Sequence, residues 1–544
     1  MRSEAGKTTF PPPERGTDWC GECWRGDLWE EKQPVGSQFP ARRSSFPSCA
    51  GAAGSRSIVS RWPRRLPVMR RLSPYLSRAA LLSRGRPPPW SSPRAWLGAA
   101  CPEKAALAPT ATATEEWGPE LGSWPERLAD LVTPLWRLAY EQQLRVKAEA
   151  LRGLLERLEE RLRSLGSPDA AEAGALCSRL QPFRPSPVIE GYRNKCNFAI
   201  RQSPDGRPRT VGYVLGGGQE QRLVCVPPAH LKHIPERHQR VARCYQAFLA
   251  QSPLEPYLDV AASGHWHELT VRSTRRGHTM AVISFHPQQL GPEELWVHKE
   301  QVRDFFTRGP GAVCDLTSLY LQENASAQCG QQQPCYQLLA GEPHIFEDLA
   351  GLRIRISPGA FFQINGAAVE VLYQVVGELS GVDANTLLLD LSQGTGATSL
   401  SLARRTAQVL STGLVGQAVG DARWTAAFNG ITNWEFHDDH VENVVAQLVK
   451  SQEAGQSLVA LVDPSRTGLN SQVVRALRNC RAIRTLLFVS CYPSGKAKRN
   501  FLELCCPPDP DKDLLGDPFV LRQAVPVDMF PHTLHYELVL LFTR

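Results

Sequence analysis

Between residue 366 and the end of the chain, the apolar positions change period again and again. Short continuous apolar runs at 387–390, 409–410, 458–462 and 485–490 have the length of strands buried on both faces. Between them, 366–380, 417–429 and 471–479 read as helices, and one more helix follows the glycine turn after 390. Strand and helix in alternation predict an α/β fold, a doubly wound Rossmann-like sheet. Two last runs, 519–527 and 537–543, are separated by a loop and predict an antiparallel hairpin at the sheet edge.

Upstream the pattern is different. From 141 to 165, Leu151, Leu154, Leu155, Leu158, Leu162 and Leu165 fall at helical spacing against Glu and Arg, which predicts one long amphipathic helix ending at Gly166. A charged face of that kind is read as solvated. From about 187 to 347 the runs shorten to β type, such as Leu269-Thr270-Val271-Arg272 and Met280-Ala281-Val282-Ile283, joined by the turn Arg275-Arg276-Gly277-His278. This β-rich module opens with Gly191-Tyr192-Arg193-Asn194-Lys195-Cys196-Asn197-Phe198, where cations stand beside aromatics as phosphate contact and base stacking favour. Arg193, Asn194 and Lys195 are therefore candidate nucleic-acid contacts, although the same segment also reads as an ordinary surface strand.

The expected division is a leader over 1–123, a helical segment over 124–186, the β-rich module over 187–347 and the α/β domain over 348–544. Residues 103–125 are rich in Ala, Thr, Pro and Gly, a linker by composition, and order is expected from near Trp124.

Charge changes the picture only at the front of the chain. The net charge of +7 over 544 residues is modest, but Lys32 to Pro102 holds thirteen Lys or Arg and no Asp or Glu. Within it, 69–86 interleaves Leu72, Leu76, Leu81 and Leu82 with Arg71, Arg78 and Arg84, carries Ser73, Ser77 and Ser83, and lacks acids. Those are the marks of a mitochondrial transit peptide, with Met69 the expected working start. A disordered basic tail is the alternative. No apolar run reaches the roughly 18 residues a membrane span requires. Fifteen scattered cysteines fit a reducing compartment, and Cys20-x-x-Cys23 lacks a second ligand pair, so no metal is expected.

The chemistry sits at the ends of the predicted strands. Asp390-Leu391-Ser392-Gln393-Gly394-Thr395-Gly396 is a glycine turn between strand and helix, which could serve a nucleotide, a nicotinamide cofactor or S-adenosylmethionine, or be a tight turn only. Asp463-Pro464-Ser465-Arg466-Thr467-Gly468 ends another strand on the same rim, and Cys491 ends the next. A thiol so placed, followed by Glu537 after the loop Asp528-Met529-Phe530-Pro531-His532-Thr533-Leu534-His535-Tyr536, is what nucleophilic attack and then proton abstraction require.

Taken in order, Ser357-Pro358-Gly359-Ala360-Phe361-Phe362-Gln363-Ile364-Asn365, the DxxxGxG turn, the DPxRxG loop, SCxP and DxFPHTxHxE resemble the RNA uracil-5-methyltransferases of the bacterial tRNA (uracil-5-)-methyltransferase type. The resemblance runs from about Trp124 to Arg544. It implies S-adenosylmethionine-dependent methylation of carbon 5 of uridine in tRNA, with ribosomal RNA the family's other substrate, and a target uridine flipped out of its stack. It implies Cys491 as nucleophile and Glu537 as proton acceptor. It also implies Gln363, Ser392, Asp439 and Asp463 as cofactor residues, with Gly394 and Gly396 shaping the turn, and Asp463 alternatively touching the uracil.

Three positions depart from the family pattern. Gly413 stands where the family's acidic ribose binder is expected; Ser392-Gln393 replaces an aromatic or Cys before the first glycine; Ser465 replaces Pro or Ala. The loss at Gly413 keeps a second reading open, an RNA-binding or tRNA-folding protein with weakened or lost methylation. A dinucleotide dehydrogenase fares worse, since it too would want an acid there.

Overall fold

The computed structural model describes residues 122–544 apart from 168–169, 171, 217–222, 259–262, 325–334, 393–394, 413–415, 438, 442, 446, 448–455, 465–467 and 492–495. The transit-peptide segment, Cys20, Cys23, Gly394, Gly413 and Ser465 lie outside the described residues.

Two helices come first. Helix α1 (Trp124–Val132) begins on a reciprocal cap in which the Ser123 N–H donates to Glu126 Oε2 at 2.9 Å. Helix α2 (Tyr140–Ser164) is the long amphipathic helix. Its stripe of Leu151, Leu154, Leu155, Leu158 and Leu162 is buried in the core of the C-terminal domain.

The central module consists of β1 (Lys195–Arg201), β2 (Thr210–Leu215), β3 (Val224–Val226), α3 (Glu236–Gln251), β4 (Trp266–Ser273), β5 (Thr279–Phe285), α4 (Pro292–Thr307), β6 (Ser318–Glu323) and β7 (Cys335–Gly341). Its described strands form one sheet in the order β3-β2-β1-β4-β5-β6-β7. Only the β5–β6 pair is parallel among them, and α4 supplies the crossover such a pair needs. Phe198, Ile200, Leu269, Val271, Ile283 and Leu319 line one face, covered by Val241, Tyr245 and Phe248 of α3 and Val302, Phe305 and Phe306 of α4. Those two helices are absent from the sequence reading of a run of short strands. A sheet with one apolar face needs a cover, and helices between its strands provide it.

A hairpin of β8 (Ile345–Leu349) and β9 (Leu352–Ile356) follows, its Ile345, Leu349, Ile354 and Ile356 joining the core of the last domain. That domain contains α5 (Gly366–Ser380), β10 (Thr386–Asp390), α6 (Ala397–Leu402), β11 (Gln408–Thr412), α7 (Gln417–Phe428), β12 (Trp434–His437), β13 (Ser457–Val462), α8 (Ser471–Asn479), β14 (Ile483–Ser490), α9 (Lys496–Cys505), β15 (Val520–Val527) and β16 (Glu537–Thr543). The described strands run β12-β11-β10-β13-β14-β16-β15. Those from β12 to β14 are parallel, and β16 is inserted antiparallel between β14 and β15.

Helices α5, α6 and α7 pack on one face of this sheet, and α2, α8 and α9 on the other. The doubly wound α/β fold expected from the alternating runs is therefore present. Of the final hairpin, β15 is the edge strand and β16 lies inside.

Candidate active site

Every parallel strand of the last sheet ends at one rim. Asp390 closes β10 and Thr412 closes β11; Asp439 follows β12, Asp463 follows β13 and Cys491 follows β14. Strand β16 runs the opposite way, so its first residue, Glu537, stands at the same rim. Side chains alternate faces along a strand with period two. Leu388, Leu461, Leu487, Val489 and Val539 all enter the core under α5. Continuing that alternation puts Asp390, Asp463, Cys491 and Glu537 on the α5 face of the sheet. The Ser490–Leu538 pair is the last rung between β14 and β16, and one step beyond it Cys491 and Glu537 adjoin.

The carboxylates differ in environment. Asp390 is fully buried and accepts from the Ser392 N–H at 2.9 Å and from Ser411 Oγ at 3.2 Å, with Ser392 Oγ donating as well. Burial raises its pKa, and hydrogen bonds from Ser392 oppose the rise. It braces the turn from within, and Ser392, also buried, is engaged in that brace. Asp463 is half-buried, and desolvation with the nearby charge of Asp390 pushes its carboxyl up to about 7. That environment favours the protonated form, and a positively charged group arriving beside it would favour the ionised carboxylate. Asp439 is exposed; hydrogen bonds from Asn443 Nδ2 and the His440 N–H lower its pKa. The Thr412 hydroxyl donates to its carbonyl at 3.0 Å, tying it to the end of β11.

Gly396 takes φ +67° at the start of α6, a left-handed conformation that L side chains rarely adopt. Opposite, Asn365 caps α5 by accepting from the Ala368 N–H at 3.1 Å. Its amide nitrogen donates to the Met529 carbonyl at 3.0 Å, joining the loop before α5 to the loop before Glu537. These residues fit S-adenosylmethionine: a left-handed Gly396 that starts α6 beside the strand ends, and a desolvated carboxylate suited to a cationic ligand.

The candidate RNA contacts divide. Asn194 turns inward: its N–H donates to the Ile364 carbonyl at 2.8 Å and its side chain to the Gln363 carbonyl at 2.9 Å. It thus holds the half-buried Gln363 loop to the central module. Arg193 and Lys195 line a small cleft with Asn197, Arg272, Phe361, Phe362 and Ile364. Arg272, unmarked by sequence reasoning, is buried and donates to the Ala360 carbonyl; desolvation pushes its pKa down to about 10. Among the described residues, no group of three or more His, Cys, Asp or Glu could hold a metal ion, and no helix is long and apolar enough to cross a membrane.

Comparison with known proteins decides the family. Residues 350–544 match the family model described as tRNA (Uracil-5-)-methyltransferase. The chain is 59% identical over 426 residues to the mouse (Mus musculus) tRNA (uracil-5-)-methyltransferase homolog B, covering 78% of this chain and 86% of that protein. The chain belongs to the tRNA (uracil-5-)-methyltransferase family. The human homolog B is 58% identical over 431 residues, with 78% of this chain and 86% of that protein covered.

Among solved structures, the tRNA (uracil-54, C5)-methyltransferase of Pyrococcus abyssi, in complex with S-adenosyl-L-homocysteine, superposes with a TM-score of 0.51 at 21% identity, over 75% of this chain and 85% of that one. That likeness shows the shared fold. Membership in the tRNA (uracil-5-)-methyltransferase family makes this protein a methyltransferase and fits the rim chemistry built up above.

Proposed function

We propose that this protein makes 5-methyluridine in mitochondrial RNA through a covalent adduct on Cys491, with Glu537 as the base that completes the reaction. The family carries the coarser statement, S-adenosylmethionine-dependent methylation of carbon 5 of uridine in tRNA. The observation that carries the finer one is the convergence of Asp463, Cys491 and Glu537 on one face of the rim, beside the loop that holds Gln363 and Asn365.

The chemistry follows from what uracil lacks. Its carbon 5 is a poor nucleophile until a group adds at carbon 6. The Cys491 sulfur forms that C6–S bond and shifts the C5=C6 electron pair toward carbon 5 and the adjoining carbonyl. When bound, S-adenosylmethionine would supply an electrophilic methyl group to carbon 5, its S–CH3 bond breaking to leave the neutral thioether S-adenosylhomocysteine. Glu537 then removes the carbon-5 proton; the electrons left behind restore C5=C6 and expel the Cys491 thiolate. Asp463 and Asp439 hold the cofactor's polar groups, with Gln363, Ser392 and Gly396 shaping its pocket; the alternative role for Asp463 is contact with the uracil. Arg193 and Lys195 contact RNA phosphates from the cleft. The substrate is tRNA, at a T-loop uridine, with ribosomal RNA the other candidate; the basic, acid-free stretch from Lys32 to Pro102 directs the protein to the mitochondrial matrix.

The deciding experiment is transfer of a labelled methyl group to T-loop transcripts and to ribosomal RNA fragments, with nuclease mapping of the product. Label at carbon 5 of uridine supports the reading, and no transfer to any RNA removes it. Gly413 favours a second reading, an RNA-binding or tRNA-folding protein with weakened or lost methyltransferase activity. Absence of S-adenosylmethionine binding by the native chain, restored in Gly413→Glu, would select it.

A further inference from the structure

The loop that delivers Glu537 to the rim is held by the N-terminal helix α2. The Lys147 ammonium donates to Asp528 Oδ1 at 2.6 Å and to the Phe530 carbonyl at 3.1 Å. One turn earlier, Gln143 Oε1 accepts from the His532 N–H at 2.7 Å, and its amide nitrogen lies 3.1 Å from His532 Nδ1. The Lys147 and Asp528 side chains are both completely buried. His532 takes φ +70°, a strained conformation for a residue with a side chain, and both its N–H and its carbonyl are gripped, the latter by the Leu135 N–H at 2.9 Å.

A buried ion pair is a poor way to gain stability, because the cost of removing both charges from water offsets their attraction, and an apolar pair often does as well. What such a pair secures is one conformation. Here the conformation is that of the segment between Asp528 and Glu537, which runs along the rim and ends at the carboxylate.

We infer that Lys147 and Gln143 are positioning residues for the proton-abstraction step: by fixing Asp528 and His532 they set the reach of Glu537 toward carbon 5. This rests on the reading of Glu537 as the base. It assigns α2, which the sequence presents as a solvated amphipathic helix, a part in the reaction itself. A carboxylate displaced by about 1 Å loses on the order of a hundredfold in rate, and the loss should fall on the step after methyl transfer.

The test is made on the full chain with a tRNA transcript carrying the target uridine. Lys147→Met, Lys147→Arg, Gln143→Leu and the charge-free double variant Lys147→Met/Asp528→Leu are compared with Glu537→Gln. For each, kcat, the KM for RNA and for S-adenosylmethionine, and the fraction of RNA in a detergent-stable protein adduct are measured. The expected result is a fall in kcat of about tenfold to a hundredfold at unchanged KM values, with the covalent adduct accumulating as it does in Glu537→Gln. Lys147→Arg should recover part of the rate. Where Lys147→Met does not fold, the double variant carries the same expectation, because it leaves no unpaired charge.

Normal kcat per folded enzyme, or a fall in kcat without adduct, overturns the inference. If Glu537→Gln itself builds up no adduct, the assignment of the base is what fails; if it does and the α2 variants do not, the positioning role alone is lost.

Discussion

Ser490 of β14 pairs with Leu538 of β16, and this antiparallel rung is what brings the thiol and the carboxylate together. Had β16 joined the sheet in the parallel sense, Glu537 would begin its strand at the far edge. The reversal of one strand sets the proposed nucleophile and base on adjoining strand ends, although 46 positions separate them in the chain. For Glu537→Gln the account predicts one methyl transfer per enzyme followed by arrest, with overall turnover lowered by about 10²–10⁴-fold. Rapid-quench measurement of methyl transfer beside steady-state release checks it.

The proposed cofactor role of Asp463 predicts binding that depends on pH. Its carboxyl, pushed up to about 7, must be ionised to neutralise a cationic ligand. The affinity for S-adenosylmethionine should therefore weaken as pH falls below about 7, approaching tenfold per pH unit, and Asp463→Asn should flatten the profile. The same shift acts on the unliganded protein in the opposite sense from a paired carboxylate. The folded state holds a proton that the unfolded chain has released, so this group's contribution to stability declines as pH rises from about 4 to about 7. Calorimetric titration and urea midpoints between those limits measure both effects.

Arg193 and Asn194 are neighbours with separable roles. Arg193→Ala should weaken RNA binding and reduce the dependence of log K on log salt by about 0.7–0.9 for each phosphate that is no longer neutralised, with S-adenosylmethionine affinity unchanged. Asn194→Ala should do the reverse. It removes the side-chain hydrogen bond to the Gln363 carbonyl while the backbone bond to Ile364 stays, loosens that loop, costs about 1 kcal/mol of stability and weakens the cofactor's binding. Filter binding across salt concentrations, with cofactor titrations alongside, separates the two.

Leu155 is fully buried between α2 and the sheet of the C-terminal domain. Leu155→Ala should cost about 2–5 kcal/mol, read as a lower urea midpoint at unchanged slope. A much smaller cost would mean that α2 is only loosely applied to the domain.

Strands β10, β13 and β14 were legible because burial on both faces leaves unbroken apolar runs, and Asp390, Asp463 and Cys491 are candidates because they stand where those runs end. Strand β12 was not, since Trp434-Glu435-Phe436-His437 is short and half of it is polar. The contribution of α2 was hidden for a different reason. Positions 143 and 147 continue the apolar stripe of 151, 154 and 158, yet hold Gln and Lys. A polar residue in the buried stripe of a helix is the signal that was available. Its meaning depends on Asp528, 381 positions away, which no local pattern reveals. Gly413 and the leader, prominent in the sequence, lie outside the described residues.

The most direct test of the central claim is to incubate the protein with S-adenosylmethionine and a tRNA transcript in which uridine is replaced by 5-fluorouridine, then map the peptide bound to RNA by mass spectrometry. Fluorine cannot leave as a proton does, so the account predicts a stable methylated adduct on the peptide containing Cys491 and none in Cys491→Ala. Methylation without any adduct, or an adduct on a different cysteine, would contradict it.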